Sequence, residues 1–233
     1  MKVIICAGPP TSGKTIVLKR VAEKLIEKGY KIAYLKEDVQ FADEDEIFKN
    51  EFNIPAIKVY TAELCPDHCH VMVLGDAIKW AEKEKADTIL VETAGLCLRC
   101  APYIEGCLGI AVLEATSGIK LPRKIGPMLS LADIAVVTKI DLVSQAEKEV
   151  FRANINETVK DITIIESDAL HGINIDHIVR RIEKTQEIKE PLVLRGNPPL
   201  CVCTICAGKK DIGWESHFGV VRTLESGLFY IGE

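Results

Sequence analysis

No run in these 233 residues approaches the roughly 18 uncharged apolar positions needed to cross a bilayer, although 48% of the chain is hydrophobic. A basic stripe is also missing. Lys and Arg number 29 against 34 Asp and Glu, for a net charge of −5, so the electrostatic footprint of a nucleic-acid binder is absent. The apolar start Met1–Cys6 is too short for a secretory signal and soon meets Gly8 and Pro9, which points to a cytoplasmic protein. Neither an internal repeat nor a low-complexity tract divides the chain, and its length suits one core with a small appendage.

What is present begins with nine cysteines. In a reducing compartment, clustered thiols read as metal ligands or redox groups and not as a disulfide framework. Cys6 stands alone in an apolar run and reads as a buried core thiol. Cys65-Pro66-Asp67-His68-Cys69-His70 offers two thiolates and two imidazoles, a mixture that suits zinc or nickel. The competing reading is a loop with buried thiols and exposed imidazoles. Cys97 and Cys100 form a C-x-x-C turn whose site must be completed by Cys107, Cys65, Cys69 or a second subunit. Cys201, Cys203 and Cys206 suggest structural zinc or an iron–sulfur cluster, with a fourth ligand from elsewhere.

Apolar, β-branched runs of strand length alternate with amphipathic stretches. Strands are predicted over Val3–Ala7, Lys31–Leu35, Ile57–Tyr60, Thr88–Val91, Gly109–Leu113, Ile134–Thr138 and Ile162–Ile165. Helices are predicted over Lys14–Lys28, Val71–Lys85, Ser144–Thr158 and Ile175–Lys189. This alternation implies right-handed βαβ units: a doubly wound α/β domain over residues 1–189 with a mostly parallel sheet. Residues 190–233 read as a small Cys-rich β appendage, in which Phe218–Leu224 and Leu228–Gly232 flank a hairpin turn.

Gly8-Pro9-Pro10-Thr11-Ser12-Gly13-Lys14-Thr15 fits G-x-x-x-x-G-K-[ST], directly after one predicted strand and opening one predicted helix. The glycines let backbone N–H groups face phosphate oxygens, and the helix N-terminus adds its dipole. Lys14 then reaches the β- and γ-phosphates, and Thr15 ligates Mg²⁺. Asp38 and Glu92 follow strands and suit the metal or the attacking water. Gly95 is placed to donate its N–H to the γ-phosphate. Thr138-Lys139-Ile140-Asp141 is similar to the N-K-x-D guanine motif. Asp141 would accept from the guanine N1–H and amine, Lys139 would lie along the base, and the Thr138 hydroxyl would tether the loop where Asn usually stands. Ser167 and Ala169 follow the next strand, where a backbone loop can meet the guanine oxygen.

These motifs together resemble the SIMIBI-class P-loop GTPases of the CobW/HypB/UreG metallochaperone family. Gly118-Ile119-Lys120-Leu121-Pro122-Arg123-Lys124-Ile125-Gly126-Pro127 is similar to the family's G-D-K-I-P-R-K-G-G-P segment. Glu92-Thr93-Ala94-Gly95 resembles its E-S-G-G element, and Cys65-Pro66-Asp67-His68 its C-P-H metal segment with one residue inserted. Thr138 and Ile119 depart from the pattern, a His-rich N-terminal nickel store is missing, and the clusters at Cys97 and Cys201 lie outside it. The resemblance implies slow GTP hydrolysis with Mg²⁺, a nucleotide-dependent homodimer, and delivery of a metal, nickel first, to a client metalloenzyme or its accessory proteins. Two rival readings are an ATPase that assembles or carries an iron–sulfur cluster, and a non-catalytic nucleotide-binding regulatory or redox module.

Overall fold

Strand and helix alternate to give three layers, with helices on both faces of a central sheet. The computed structural model describes residues 1–39, 42–61, 65–95, 101–197, 209–213, 216, 220–223 and 230–231. Cys97, Cys100, Cys201, Cys203 and Cys206 lie outside the described residues.

In chain order the sheet is built from β1 (Lys2–Ala7), β2 (Ile32–Asp38), β3 (Ala56–Tyr60), β4 (Thr88–Glu92), β5 (Leu108–Glu114), β6 (Ile134–Thr138) and β7 (Thr163–Glu166). All seven are parallel, in the spatial order β7-β6-β5-β1-β4-β2-β3. β1 is central and fully apolar after Lys2, as expected of a strand covered on both sides. One core packs Ile4, Cys6, Tyr34 and Leu90 against α1 (Lys14–Glu27), α2 (Glu44–Phe52) and, further along the chain, residues Ile175–Ile182. The opposite core packs Ile5, Leu35 and Val91 against α3 (Pro66–Lys83) and residues Met128–Ile155. The remaining helices are α4 (Leu121–Lys124), α5 (Gly126–Ser130), α6 (Gln145–Thr158) and α7 (Ile175–Lys184).

Several boundaries differ from the sequence expectation, each for a physical reason. β2 runs on to Asp38 because the polar residues Lys36 and Glu37 find buried charged partners on either face. α3 starts five residues before Val71. Pro66 occupies its first turn, where a missing N–H and a fixed φ cost nothing. α2 was not anticipated: its acidic first turn complements the helix dipole, and Asp45 and Phe48 are its buried contacts. α6 begins on a full capping box between Ser144 and Glu147.

After α7 the chain returns on the face of the sheet that α3 covers, with Leu192 and Ile212 beside Gly75. Leu194 makes an antiparallel bridge with Ile104, and Arg195 N–H donates to Tyr103 O at 2.9 Å. The Arg195 guanidinium pairs with Asp133 at 2.8 Å and donates to the carbonyls of Ile104, Leu131 and Cys107. β8 (Val220–Thr223) and β9 (Tyr230–Ile231) pair antiparallel, and β8 adds to the edge of β3, also antiparallel.

Candidate functional site

The carboxyl end of β1 delivers the chain into the loop Gly8–Gly13. A Cβ at Gly8 would lie 2.4 Å from the carbonyl oxygen of Val112 on β5, so only glycine lets the loop leave the sheet here. Gly13 takes φ +91° just before α1, whose first residues are Lys14 and Thr15. The Lys14 ammonium is buried and folds back over the loop, donating to Gly8 O at 3.1 Å and Pro9 O at 3.0 Å. Burial pulls its pKa below the ordinary lysine value, against the attraction of Glu92. A phosphate would compete for this cation with the loop's own carbonyls.

Glu92, at the end of β4, is 1% exposed and collects three donors. Thr15 Oγ1 donates to its Oε1 at 2.8 Å, Lys36 Nζ to the same oxygen at 2.7 Å, and the Tyr34 hydroxyl to Oε2 at 2.8 Å. Lys36 also meets Glu44 of α2 at 3.1 Å and Asp38 at 3.6 Å. Burial works against a charge on Lys36, but Glu92 and Glu44 more than offset it and hold its pKa above the usual value. Asp38, Glu92 and the Thr15 hydroxyl are hard oxygen donors gathered beside a phosphate loop, a donor set that suits Mg²⁺. The turn after β4 closes on the loop: a Cβ at Gly95 would sit 2.5 Å from the Pro10 ring.

On the other flank, buried Thr138 donates its hydroxyl to Ser12 O at 2.6 Å, with Leu113 O at 3.3 Å. The hydroxyl thus ties the end of β6 to the phosphate loop. Lys139 adopts φ +57° and pairs with Glu114 at the end of β5. Asp141 lies exposed in the short 3-10 turn that follows. Ser167 is buried, its N–H donating to Val137 O and its hydroxyl to Ile173 O, each at 2.8 Å. The loop beyond is braced twice. Asp168 holds His171 at 2.5 Å, and Arg20 of α1 donates to Ala169 O at 3.3 Å and Leu170 O at 2.7 Å.

The thiol segment is a helix start and not a loop. Cys65 is the N-cap of α3, and His68, Cys69 and His70 are all buried on its first turns. The Cys65 thiol lies 3.8 Å from an Asp67 carboxylate oxygen. Burial raises the Cys69 pKa well above its usual value and pushes that of Cys107 up to about 12. His70 has both ring nitrogens engaged: Nδ1 with Glu37 at 2.9 Å and Nε2 with Pro102 O at 2.8 Å. Burial opposes a charge on His70, but Glu37 and Pro102 O overcome it and raise its pKa. Among the described residues no three His, Cys, Asp or Glu side chains converge on one metal position. None of Cys6, Cys65, Cys69 and Cys107 is in a disulfide.

Residues 2–166 match the nucleotide-binding domain of CobW/HypB/UreG proteins. The chain belongs to this family. An uncharacterized protein of Methanocaldococcus jannaschii is 43% identical over 235 residues, covering 100% of both chains. Urease accessory protein UreG 2 of Streptomyces griseus is 27% identical over 195 residues, covering 78% of this chain and 86% of its own. The crystal structure of the hydrogenase maturation factor HypB from Archaeoglobus fulgidus superposes with a TM-score of 0.62 at 21% identity, covering 78% and 89%. HypB from Helicobacter pylori in complex with nickel gives 0.62 at 20% identity, covering 82% and 91%. The P-loop nucleotide-binding fold of this CobW/HypB/UreG protein is thereby shown. No described helix is long and apolar enough to cross a membrane.

Sequence reasoning missed Tyr34, Lys36, Glu37 and Arg195. The signal for the first three was the polar triplet Lys36-Glu37-Asp38 extending an apolar strand, since charges inside a parallel sheet must be paired. Arg195 gave none, because its partners lie in two segments about 60 and 90 residues earlier.

Proposed function

We propose that this chain hydrolyses GTP slowly, and that nucleotide turnover drives delivery of a metal, nickel first, to a metalloenzyme during its maturation. The observation that carries the reading is a single strand end with a partner on each face of the sheet. From β2, Lys36 engages Glu92, which also accepts from Thr15 at the phosphate loop, while its neighbour Glu37 engages His70 on the helix that Cys65 caps and that carries His68 and Cys69. A change at the nucleotide is thus one peptide bond away from the thiol helix. The family match, the UreG relative and the nickel-bound HypB fold neighbour support metal as the cargo.

In this reading Lys14 leaves the carbonyls of Gly8 and Pro9 for the β- and γ-phosphates. Thr15, Asp38 and Glu92 would hold Mg²⁺, which would supply charge neutralisation at the phosphates. Glu92 and Asp38 also orient the attacking water, and the Gly95 N–H faces the γ-phosphate. Asp141 reads the guanine N1–H and amine, Lys139 covers the base, and the Ser167–Ala169 loop closes on its oxygen. Catalysis is then positioning and electrostatics, which fits a slow enzyme. Cys65, His68 and Cys69, with Cys97, Cys100 and Cys107, are the proposed cargo ligands, shared across a nucleotide-dependent homodimer. Cys201, Cys203 and Cys206 bind a structural zinc or a cluster in the tail unit.

The test is nickel content of anaerobically purified protein with GDP and with a non-hydrolysable GTP analogue, alongside GTP and ATP competition. Nickel stoichiometry that differs between the two nucleotide states, with GTP preferred, is the expected result. Equal nickel in both states refutes coupled delivery. Preference for ATP refutes the role of Asp141.

A further inference from the structure

Lys36 is an unusual residue for its position. It sits inside a parallel strand, 5% exposed, with its ammonium on the same Glu92 oxygen that accepts from Thr15. Sheet register puts it there: Lys36 and Glu92 are paired residues on the neighbouring strands β2 and β4. Its ammonium also meets Asp38 and Glu44 of α2, while the Tyr34 hydroxyl holds the other Glu92 oxygen. Among the described residues Lys14 is a second cation near Glu92, and it also feels Asp38. Without Lys36, Lys14 would be left to offset Glu92 and Asp38, of which Glu92 is shielded from water.

That arrangement bears on phosphate binding. A nucleotide brings several negative charges to the loop beside Glu92. An uncompensated buried carboxylate would repel them, and a divalent ion is the usual means of reconciling the two. Here a covalently attached cation already does so. We propose that Lys36 is the built-in counter-charge of the phosphate site, neutralising Glu92 so that a nucleoside diphosphate binds with little dependence on divalent metal. This rests on the nucleotide-binding reading of the loop and extends it to the metal requirement. Lys36 acts through Glu92 and makes no claim on the phosphates themselves.

The experiment is equilibrium titration of the full chain with fluorescently labelled GDP, in saturating Mg²⁺ and in EDTA. The quantity read is the ratio of the two Kd values. Wild-type protein should show a ratio below about threefold, and Lys36→Met should raise it to about tenfold or more. Lys36→Arg keeps the charge and should keep the wild-type ratio. Lys36→Met leaves Glu92 buried and unpaired, so folding is checked by circular dichroism. The double variant Lys36→Met/Glu92→Gln removes both charges and should restore a low ratio. Equal ratios in wild type and Lys36→Met, or a double variant as metal-dependent as the single one, overturn the proposal. So does a wild-type ratio above tenfold. Absence of GDP binding to wild type even in Mg²⁺ would instead remove the nucleotide reading on which the proposal stands.

Discussion

Replacing Thr138 with Val isolates one hydrogen bond at the junction of base and phosphate sites. The side chain keeps its branching and nearly its volume, and loses the hydroxyl that donates to Ser12 O at 2.6 Å. That hydroxyl carries one proton, so the 3.3 Å approach to Leu113 O adds little. The site is buried, and the Ser12 carbonyl is left without this donor, which costs about 1–3 kcal/mol. For a chain of this size a loss near 2 kcal/mol lowers Tm by about 4–8 °C. The loop also loses its anchor, and GDP affinity should fall by about tenfold as the amides of Gly8–Thr15 gain freedom. Thr138→Ser is the control. It keeps the donor and gives up only the methyl that lies 3.5 Å from where a Gly13 Cβ would be. Serine should therefore lose some stability but retain GDP affinity. Differential scanning calorimetry and GDP titration read the two effects separately. A valine variant that binds GDP as wild type does, or a serine variant as weak as valine, refutes the tether.

Three further outcomes follow from the geometry. Gly95→Ala puts a methyl 2.5 Å from the Pro10 ring, so the turn after β4 cannot close on the loop; GTP turnover should drop by about tenfold or more, while Tm moves little, and unchanged turnover would contradict the contact. Arg195→Met removes the Asp133 pair and the donors to Ile104, Leu131 and Cys107, at about 3 kcal/mol; proteolysis near residues 192–197 should precede global unfolding, and an unchanged cleavage pattern would count against the strap. Asp168 titrates below its ordinary value of 3.8 because His171 hydrogen-bonds to it. The folded carboxyl is the more acidic, so its contribution is present above the ordinary value and fades as pH falls through the lowered one. His171→Ala should therefore cost stability at neutral pH and nothing in strong acid, measured as urea midpoints across the acid limb.

The parallel sheet was legible because apolar, β-branched runs announce strands buried on both faces, and the phosphate loop because Gly8, Gly13 and Lys14 have one spacing with one physical use. Thr138 was legible as a tether, although its acceptor Ser12 O was not. Pairings across the sheet stayed hidden. Tyr34, Lys36 and Glu92 meet only through strand register, over separations of 56 and 58 residues. The helix α2 was not predicted, since nothing local reveals that Lys36 and Lys58 wait for Glu44 and Asp45. His68 and His70 read as candidate ligands, with exposed imidazoles as the competing reading, because a helix N-terminus at Pro66 was not separable from a loop without knowing that Glu37 engages His70.

The antiparallel addition of β8 along β3 has a consequence for how other proteins can approach. A bare strand edge is a template on which a foreign segment can hydrogen-bond, and here the chain itself covers the Val59–Tyr60 end of that template. At the opposite margin β7 spans only four residues, with Arg152 clasping Glu166 and Asn174 occupying the Glu166 carbonyl. Strand donation by a visitor is discouraged at Val59–Tyr60 and along β7. Recognition must instead use side chains on helices and on the rim of loops above the strands, where it is reversible and open to control.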